Sequence, residues 1–315
     1  MFDKRVISVD LGNAYTKIIE GKQIRDTVLV NQAIKIKTPD NSVENGKLIN
    51  KEKIKNFLNN VIKENKIKSK KVVFTIQSTS VITREMILPY AKPNELENIV
   101  KNEVEQYLPI MLDDYVIQFM ILDEIKEERN KQLKVQVTAL PKYIIEACLD
   151  IIKDLKLKPL ALDINSNSVS KLFNKGLKIN DEKYSNDKTV ATIDLGHNYI
   201  NVNIIKDGKS LFSRVITKGG KDIDIRLANS FNLSLEDAER RKINNYNIDE
   251  FEADDITSSM LNEIVNNTID EWINEIGRVF QYYMSRERNF KIDMIYLYGG
   301  SSKLKGLENI LAEQL

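Results

Sequence analysis

Apolar and polar positions change period several times along this chain, and each change marks an element. An apolar run at residues 6–9 gives way to a polar turn at 12–14, after which 15–21 alternates and ends at Gly21. Two such runs around a short turn predict a β-hairpin. Residues 34–36 and 72–76 read as further strands. Between them Ile54, Phe57, Leu58, Val61 and Ile62 fall at helical spacing. Near Pro89 the pattern changes. Pro93, Asn94 and Glu97 stand where a capping box would open a helix with Asn94 as N-cap. Leu96, Ile99, Val100, Val104, Tyr107 and Leu108 form its apolar face, and Pro109 is expected to stop it. Strand-like runs follow at 115–122 and 133–140, joined by the charged "DEIKEERNKQ", which reads as an exposed hairpin tip. A second helix is predicted from about residue 143 to 155. Helix, strand, strand and helix would then form a unit interrupting the first half.

"LKPLALDINSNSVSKLF" returns to a strand and a helix, and the polar stretch 179–188 reads as a linker. After it the opening pattern restarts. A strand is predicted at 190–193, a turn at 196–198, a strand at 200–205, a turn at Asp207-Gly208 and a strand at 210–216. A helix follows from Gly220, and Ser234 caps another with Asp237 at its third position. Residues 256–288 keep helical spacing, with Trp272, Tyr282 and Tyr283 as packing residues, and a strand at 292–298 ends in "GGSSKLKGL". One fold therefore occurs twice, as the duplication of a large domain rather than a short-period repeat.

Composition narrows the class. With 315 residues, 42% of them apolar and 30% charged, the chain can bury real cores and is long enough for two domains. Lys plus Arg number 47 against 46 for Asp plus Glu, a balance without the basic footprint of a nucleic-acid binder. The basic run at 66–71 reads as a solvated helix end. A single cysteine, Cys148, excludes an intramolecular disulfide and reads as a buried apolar residue. One histidine and one cysteine exclude a zinc site built from several such ligands. Neither a signal peptide nor a membrane span is apparent, so the chain is expected to be cytoplasmic and to meet a membrane only through a partner.

The repeated turn carries the candidate chemistry. "DLGNAY" begins at Asp10 and "DLGHNY" at Asp194, each leaving a strand. Glycine lets backbone N–H groups approach an anionic phosphate closely. Two such turns could grip successive phosphates, with Asp10 and Asp194 sharing a Mg²⁺ through water, since Mg²⁺ takes one or two carboxylates and keeps its waters. Lys17 can serve as a point charge on a phosphate. Other phosphate motifs fail. "DGKS" at 207–210 has Asn203 where a Walker A loop needs glycine, and Gly299-Gly300 lacks dinucleotide-fold spacing.

These stretches resemble the actin and heat-shock-chaperone ATPase superfamily. "DLGNAYTK" is similar to its first phosphate loop, "DLGHNYINV" to its second, and "YLYGGSSKLKGL" to its adenosine motif. "KGGKDIDIRLANSFNLSLEDAERRK" resembles the stretch that brings Glu239 and Lys242 to the nucleoside. The resemblance implies an α/β chain of two ribonuclease-H-like, actin-fold domains around a nucleotide cleft. It also implies ATP and Mg²⁺ as ligands, with Asp10 and Asp194 at the metal. Gly12, Asn13, Ala14, Tyr15, Lys17, Gly196, His197, Asn198, Gly219, Gly220, Glu239, Lys242, Gly299, Gly300 and Ser301 would lie at the nucleotide.

The inserted unit, with "EVEQYLP" and "LKPLALD", is similar to the PilM family of type IV pilus assembly, and is related to the cell-division family FtsA. FtsA would be expected to end in an amphipathic targeting helix, and these residues show none. The implied layout is 1–88 with 158–188 as the first actin-like subdomain and 89–157 as the inserted one. Residues 189–245 with 290–315 would form the second actin-like subdomain, and 246–289 a helical one. The implied function is an ATP-binding cytoplasmic scaffold beneath the inner membrane that holds the N-terminal segment of a PilN-type membrane protein. Arg84, Glu105, Gln106 and Tyr107 are the candidate partner contacts. The alternatives are an FtsA-like filament former and a small-molecule kinase on the same fold. Ile200 stands where many members of the superfamily carry threonine, which argues for binding over hydrolysis and at most a weak ATPase. His197 reads as a loop residue rather than a base, and Asp163, at a strand end, is a candidate for positioning water.

Overall fold

In the computed structural model, which describes residues 5–24, 27–108, 110–126, 131–174, 178–185, 187–246, 256–286 and 291–315, the opening hairpin lies inside a five-stranded sheet. The chain divides into two compact units, Met1–Val169 and Ser170–Leu315. The first unit begins with β1 (Val6–Leu11), β2 (Tyr15–Ile24), β3 (Thr27–Lys37), the short pair β4 (Val43–Glu44) and β5 (Lys47–Leu48), α1 (Lys51–Glu64) and β6 (Lys71–Ile76). It continues through β7 (Ile82–Pro89), α2 (Pro93–Tyr107), β8 (Tyr115–Lys126), β9 (Lys131–Pro141), α3 (Lys142–Asp154), β10 (Lys158–Ile164) and α4 (Asn165–Ser170). The main sheet runs β10-β6-β1-β2-β3, with β1 antiparallel to β2 and parallel to β6. Ile7 and Val9 of β1 enter the core while Ser8 between them is exposed, as strand alternation requires. Asn50 starts α1 by accepting the Lys53 N–H at 2.9 Å.

The inserted unit differs from its expected make-up. Its three-stranded sheet runs β7-β9-β8, so β7, at residues read as ordinary first-domain chain, is one of its edges. Leu96, Val100, Val104 and Leu108 of α2 pack on Leu88, Leu133, Val135 and Val137. The second predicted helix, α3, does not join this core. Its Ile144, Cys148, Ile151 and Ile152 pack with Ile54, Leu58 and Val61 of α1 and with Ile7 and Phe74 of the main sheet. An amphipathic helix must bury its stripe, but the stripe does not say against which sheet. The start of α2 also differs. Lys92 is the N-cap residue and makes no side-chain cap bond, and Pro93 takes the first helical position, where its fixed φ suits the entering chain. Asn94 therefore lies inside the helix. Pro109, expected to stop α2, and residues 127–130 of the hairpin tip lie outside the described residues.

The second unit holds β11 (Lys178–Ile179), β12 (Glu182–Lys183), β13 (Val190–Leu195), β14 (Ile200–Lys206), β15 (Lys209–Ile216), α5 (Gly220–Phe231) and α6 (Leu235–Asn245). After these come α7 (Ile256–Ser285), β16 (Met294–Tyr298) and α8 (Leu307–Gln314). Its sheet runs β15-β14-β13-β16, with β13 antiparallel to β14 and parallel to β16. This is the order of β3-β2-β1-β6, and the registers coincide. Asp10 faces Lys17 and Leu11 faces Thr16, as Asp194 faces Asn201 and Leu195 faces Ile200. The core joins Ile193, Ile200, Val202 and Ile204 to Ile223 and Leu227 of α5, and to Trp272 and Ile276 of α7. The turn at Asp207-Gly208 has φ of 52° and 69°, the left-handed pair that a two-residue hairpin turn demands. Within the polar stretch read as a linker, Tyr184 is buried, with its ring edge-on to Phe173 at 5.5 Å. Parts of the proposed helical subdomain, 247–255 and 287–289, lie outside the described residues.

Ile152→Ala tests the placement of α3. It should destabilise the first unit by about 2–5 kcal/mol. Hydrogen exchange should accelerate in β1 and β6 before β7 and β9, and the reverse order would return α3 to the inserted sheet.

Candidate functional site

The first loop joins β1 to β2 and is braced from behind by two hydroxyls. Thr38 Oγ1 donates to the Gly12 carbonyl at 2.8 Å and lies 2.8 Å from Thr16 Oγ1. With its own proton spent on Gly12, Thr38 must accept from Thr16. Both threonines are buried, and the Thr38 N–H donates to the Ala14 carbonyl at 2.9 Å. Gly12, Asn13, Ala14 and Tyr15 stay partly exposed. In front of them Lys17 Nζ lies 2.7 Å from Asp10 Oδ2, with 52% of its side chain exposed. A pair so open to water is worth at most about 1 kcal/mol, so an incoming phosphate can compete for the ammonium.

The second loop joins β13 to β14 and is braced by backbone. The Gly196 N–H donates to the Tyr199 carbonyl at 3.0 Å. The Gly196 carbonyl accepts the Gly220 N–H at 3.0 Å and the Ser301 hydroxyl at 3.4 Å. The His197 carbonyl accepts the Lys221 N–H at 2.8 Å. The start of α5 thus rests directly on the loop, an approach that tolerates no side chain. A Cβ on Gly219 would stand 2.4 Å from the His197 carbonyl oxygen. Gly299 follows β16 with φ of +98°, and a Cβ there would stand 2.4 Å from Asp194 Oδ1 and 2.7 Å from the Leu195 carbonyl oxygen. Gly300 has open space around its Cα.

A buried charge cluster underlies this loop. Lys242 Nζ of α6 lies 2.7 Å from Asp224 Oδ1 of α5 and donates to the Gly220 carbonyl at 3.1 Å. Both side chains are buried, and removing one partner of such a pair costs about 3–5 kcal/mol. Burial pushes the Asp224 carboxyl up from its usual range, against the pull of the Lys242 charge. His197 Nδ1 lies 4.0 Å from Asp224 Oδ2. Burial holds the His197 imidazole below its usual value; the Glu239 charge opposes this, while Lys242 and Lys221 reinforce it.

Most of the residues expected at a nucleotide therefore assemble within their own unit. Gly196, His197, Asn198, Gly219, Gly220 and Ser301 surround one loop, with Gly299 beside Asp194. Lys242 is committed to Asp224 and a carbonyl, and Glu239 acts on His197 and Asp224 through its charge. Ile200 is fully buried in the apolar core, as its register counterpart Thr16 is buried in the first unit. A hydroxyl at this position braces the loop from behind, so the argument from a lost phosphate contact does not hold at Ile200. Asp163 Oδ1 accepts the Ile164 N–H at 2.9 Å and Asn167 Nδ2 at 2.7 Å, a local role at the start of α4. Of the partner candidates, Arg84 lies exposed on β7 and Glu105, Gln106 and Tyr107 lie exposed at the end of α2. Sequence reasoning missed Asp224 and Thr38. The one available signal was an aspartate set between Ile223 and Ile225, at the buried spacing of its helix.

Twin hairpin loops on mixed sheets of the same strand order give the chain an actin-like fold. Residues 8–315 match the family described as Type IV pilus assembly protein PilM, and the chain belongs to that family. Among solved structures it is similar to a "PilM-PilN type IV pilus biogenesis complex", at 21% identity and a TM-score of 0.80, covering 98% of this chain and 85% of that one. It is also similar to the ethanolamine utilization protein EutJ from Carboxydothermus hydrogenoformans, at 14% identity and a TM-score of 0.60, over 100% of this chain and 83% of that one. MreB5 of Spiroplasma citri bound to ADP follows at 12% identity and a TM-score of 0.57, over 99% and 89%. At these identities the likeness is one of fold.

Two outcomes follow from the packing and the charges. Gly299→Ala should destabilise the second unit by at least about 2 kcal/mol, through strain and overpacking. Gly300→Ala should stay within about 0.5 kcal/mol, and equal denaturation midpoints for the two variants would refute the close approach. His197, the sole histidine, should titrate below 6.5 by NMR. Because its folded value is depressed, its contribution to stability is present above the unfolded value and lost as pH falls through the folded one. His197→Gln should therefore flatten that acid limb, and an unchanged limb would contradict the assignment.

Proposed function

We propose that this chain is an ATP-binding scaffold of the type IV pilus assembly complex at the inner membrane, and that each unit contributes one phosphate loop to nucleotide binding. The observation that carries the reading is the coincident register of the two loops, each held rigidly from behind with its residues partly exposed in front. Preformed loops of this kind offer backbone N–H groups to an anion without a cost of reordering.

Mg²⁺ fits the residues present. A magnesium ion bound with a nucleotide takes much of its shell from phosphate oxygens and water, and needs only one or two carboxylates. Asp10 and Asp194 supply one at the base of each loop. When bound, the ion neutralises phosphate charge. Lys17 would leave Asp10 for a phosphate, freeing that carboxylate toward the cation. For hydrolysis a base must reach the attacking water, and the one histidine stands beside Asp224, whose carboxylate is already paired with Lys242. The reading is therefore of a nucleotide-dependent scaffold with at most weak turnover.

The partner is proposed to be the N-terminal segment of a PilN-type membrane protein. It would be taken at the inserted sheet and α2, where Arg84, Glu105, Gln106 and Tyr107 are exposed and Tyr107 shows 62% of its surface. No helix among the described residues is long and apolar enough to cross a membrane, so the attachment is proposed to come through this partner.

Calorimetry with Mg²⁺–ATP tests the first part. Asp10→Ala and Asp194→Ala should each weaken binding by about tenfold or more, corresponding to the loss of roughly 1.4 kcal/mol. Unchanged affinity in both would overturn it. Titration with a peptide from a PilN-type N-terminus tests the second. Tyr107→Ala should weaken that complex and leave nucleotide binding unaltered.

A further inference from the structure

The second loop differs from the first in holding an imidazole among charged neighbours, and this arrangement has a chemical consequence. His197 lies at the loop tip with its main chain pinned, its carbonyl bonded to the Lys221 N–H at 2.8 Å. A buried carboxylate lies behind the ring. Nδ1 is 4.0 Å from the buried carboxylate of Asp224, whose other oxygen is taken up by Lys242 at 2.7 Å. Nε2 lies on the other side of the ring from Nδ1, and 31% of the side chain is open to solvent. The charged groups around the ring are Lys221, Asp222 and Asp224 from α5, and Glu239 and Lys242 from α6.

We propose that His197 is a phosphate ligand of the second loop, and that its imidazole takes up a proton from solvent when an anionic nucleotide binds. The inference rests on the nucleotide-binding reading above and deepens it. In the free protein burial, reinforced by Lys242 and Lys221, disfavours the charged ring, while Glu239 and Asp222 oppose them. A phosphate brought to the loop adds negative charge on the Nε2 side and reverses that balance. The protonated ring then donates from Nε2 to the phosphate and from Nδ1 toward Asp224, whose ionised form gains a second counter-ion. Asp224 acts here as a positioning residue, fixing which nitrogen faces the ligand. The register equivalent in the first loop is Asn13, which cannot titrate, so proton coupling belongs to the second unit alone.

The protein's single histidine makes the test direct. In untagged protein the His197 ring proton is followed by NMR across pH, free and saturated with Mg²⁺–ATP, with tripolyphosphate and adenosine as further probes. The midpoint should rise by about one pH unit with ATP and with tripolyphosphate, and stay put with adenosine, which brings no phosphate. Calorimetry at pH 6.5 in two buffers of different ionisation enthalpy should show wild type taking up more protons than His197→Gln; the variant subtracts the nucleotide's own protons. The affinity advantage of wild type over His197→Gln should be about tenfold near pH 6 and vanish toward pH 8.5, as expected for one charge-assisted hydrogen bond. Heat of ATP binding with an unmoved midpoint and equal proton uptake would overturn the inference and leave the nucleotide reading standing. No heat, and no resonance changed by ATP, would overturn both.

Discussion

The second unit depends on a contact between backbones. The Gly196 carbonyl receives the first N–H of α5 and the hydroxyl of Ser301, so three elements distant in sequence meet at one oxygen. Such a meeting is possible only where side chains are missing. Gly219 lets the helix start lie on the loop, and Gly299 lets the end of β16 pass Asp194. Once that contact forms, the loop has no slack, and α5 presents its N-terminal end beside it. Pre-organisation of this kind is what a phosphate site requires, since a flexible loop would spend binding energy on becoming ordered.

The two copies solve the same mechanical problem differently. In the first unit Thr16 and Thr38 form a relay of hydroxyls to the Gly12 carbonyl. In the second, Ile200 takes the place of Thr16 and joins the apolar core, and the support passes to α5 and Ser301. The strand register is unchanged, so the duplication preserved geometry while the chemistry diverged. Lys17 faces Asp10 in one copy and buried Asn201 faces Asp194 in the other. The first loop thus carries a solvent-exposed cation, paired with Asp10. The second has its lysine, Lys242, locked behind it by Asp224. Under the proposed nucleotide-binding reading, that asymmetry favours binding over turnover.

Local periodicity made much of this legible in advance. The hairpins, the helices and the repeat of the Asp-Leu-Gly turn follow from alternation, spacing and glycine, which act within a few residues. What escaped depends on tertiary choice. The stripe of α3 shows that it must be buried, yet nothing local says that α1 rather than the inserted sheet covers it. Asn94 has the right chemistry for a cap, but Pro93 before it already occupies the first helical turn. Ile200 was misread because its side-chain direction depends on register, not on its place in a motif. Asp224 was missed because a carboxylate in a helix is ordinarily solvated, and only the arrival of Lys242 from another helix makes its burial tolerable.

The central claim is that both loops are phosphate sites of one nucleotide-binding protein. Hydrogen exchange of the full chain, with and without Mg²⁺–ATP, tests it most directly at residues 12–15 and 196–199. The account predicts slowed exchange in both stretches, with the inserted sheet unchanged. Exchange unaltered in either loop at saturating nucleotide would contradict it.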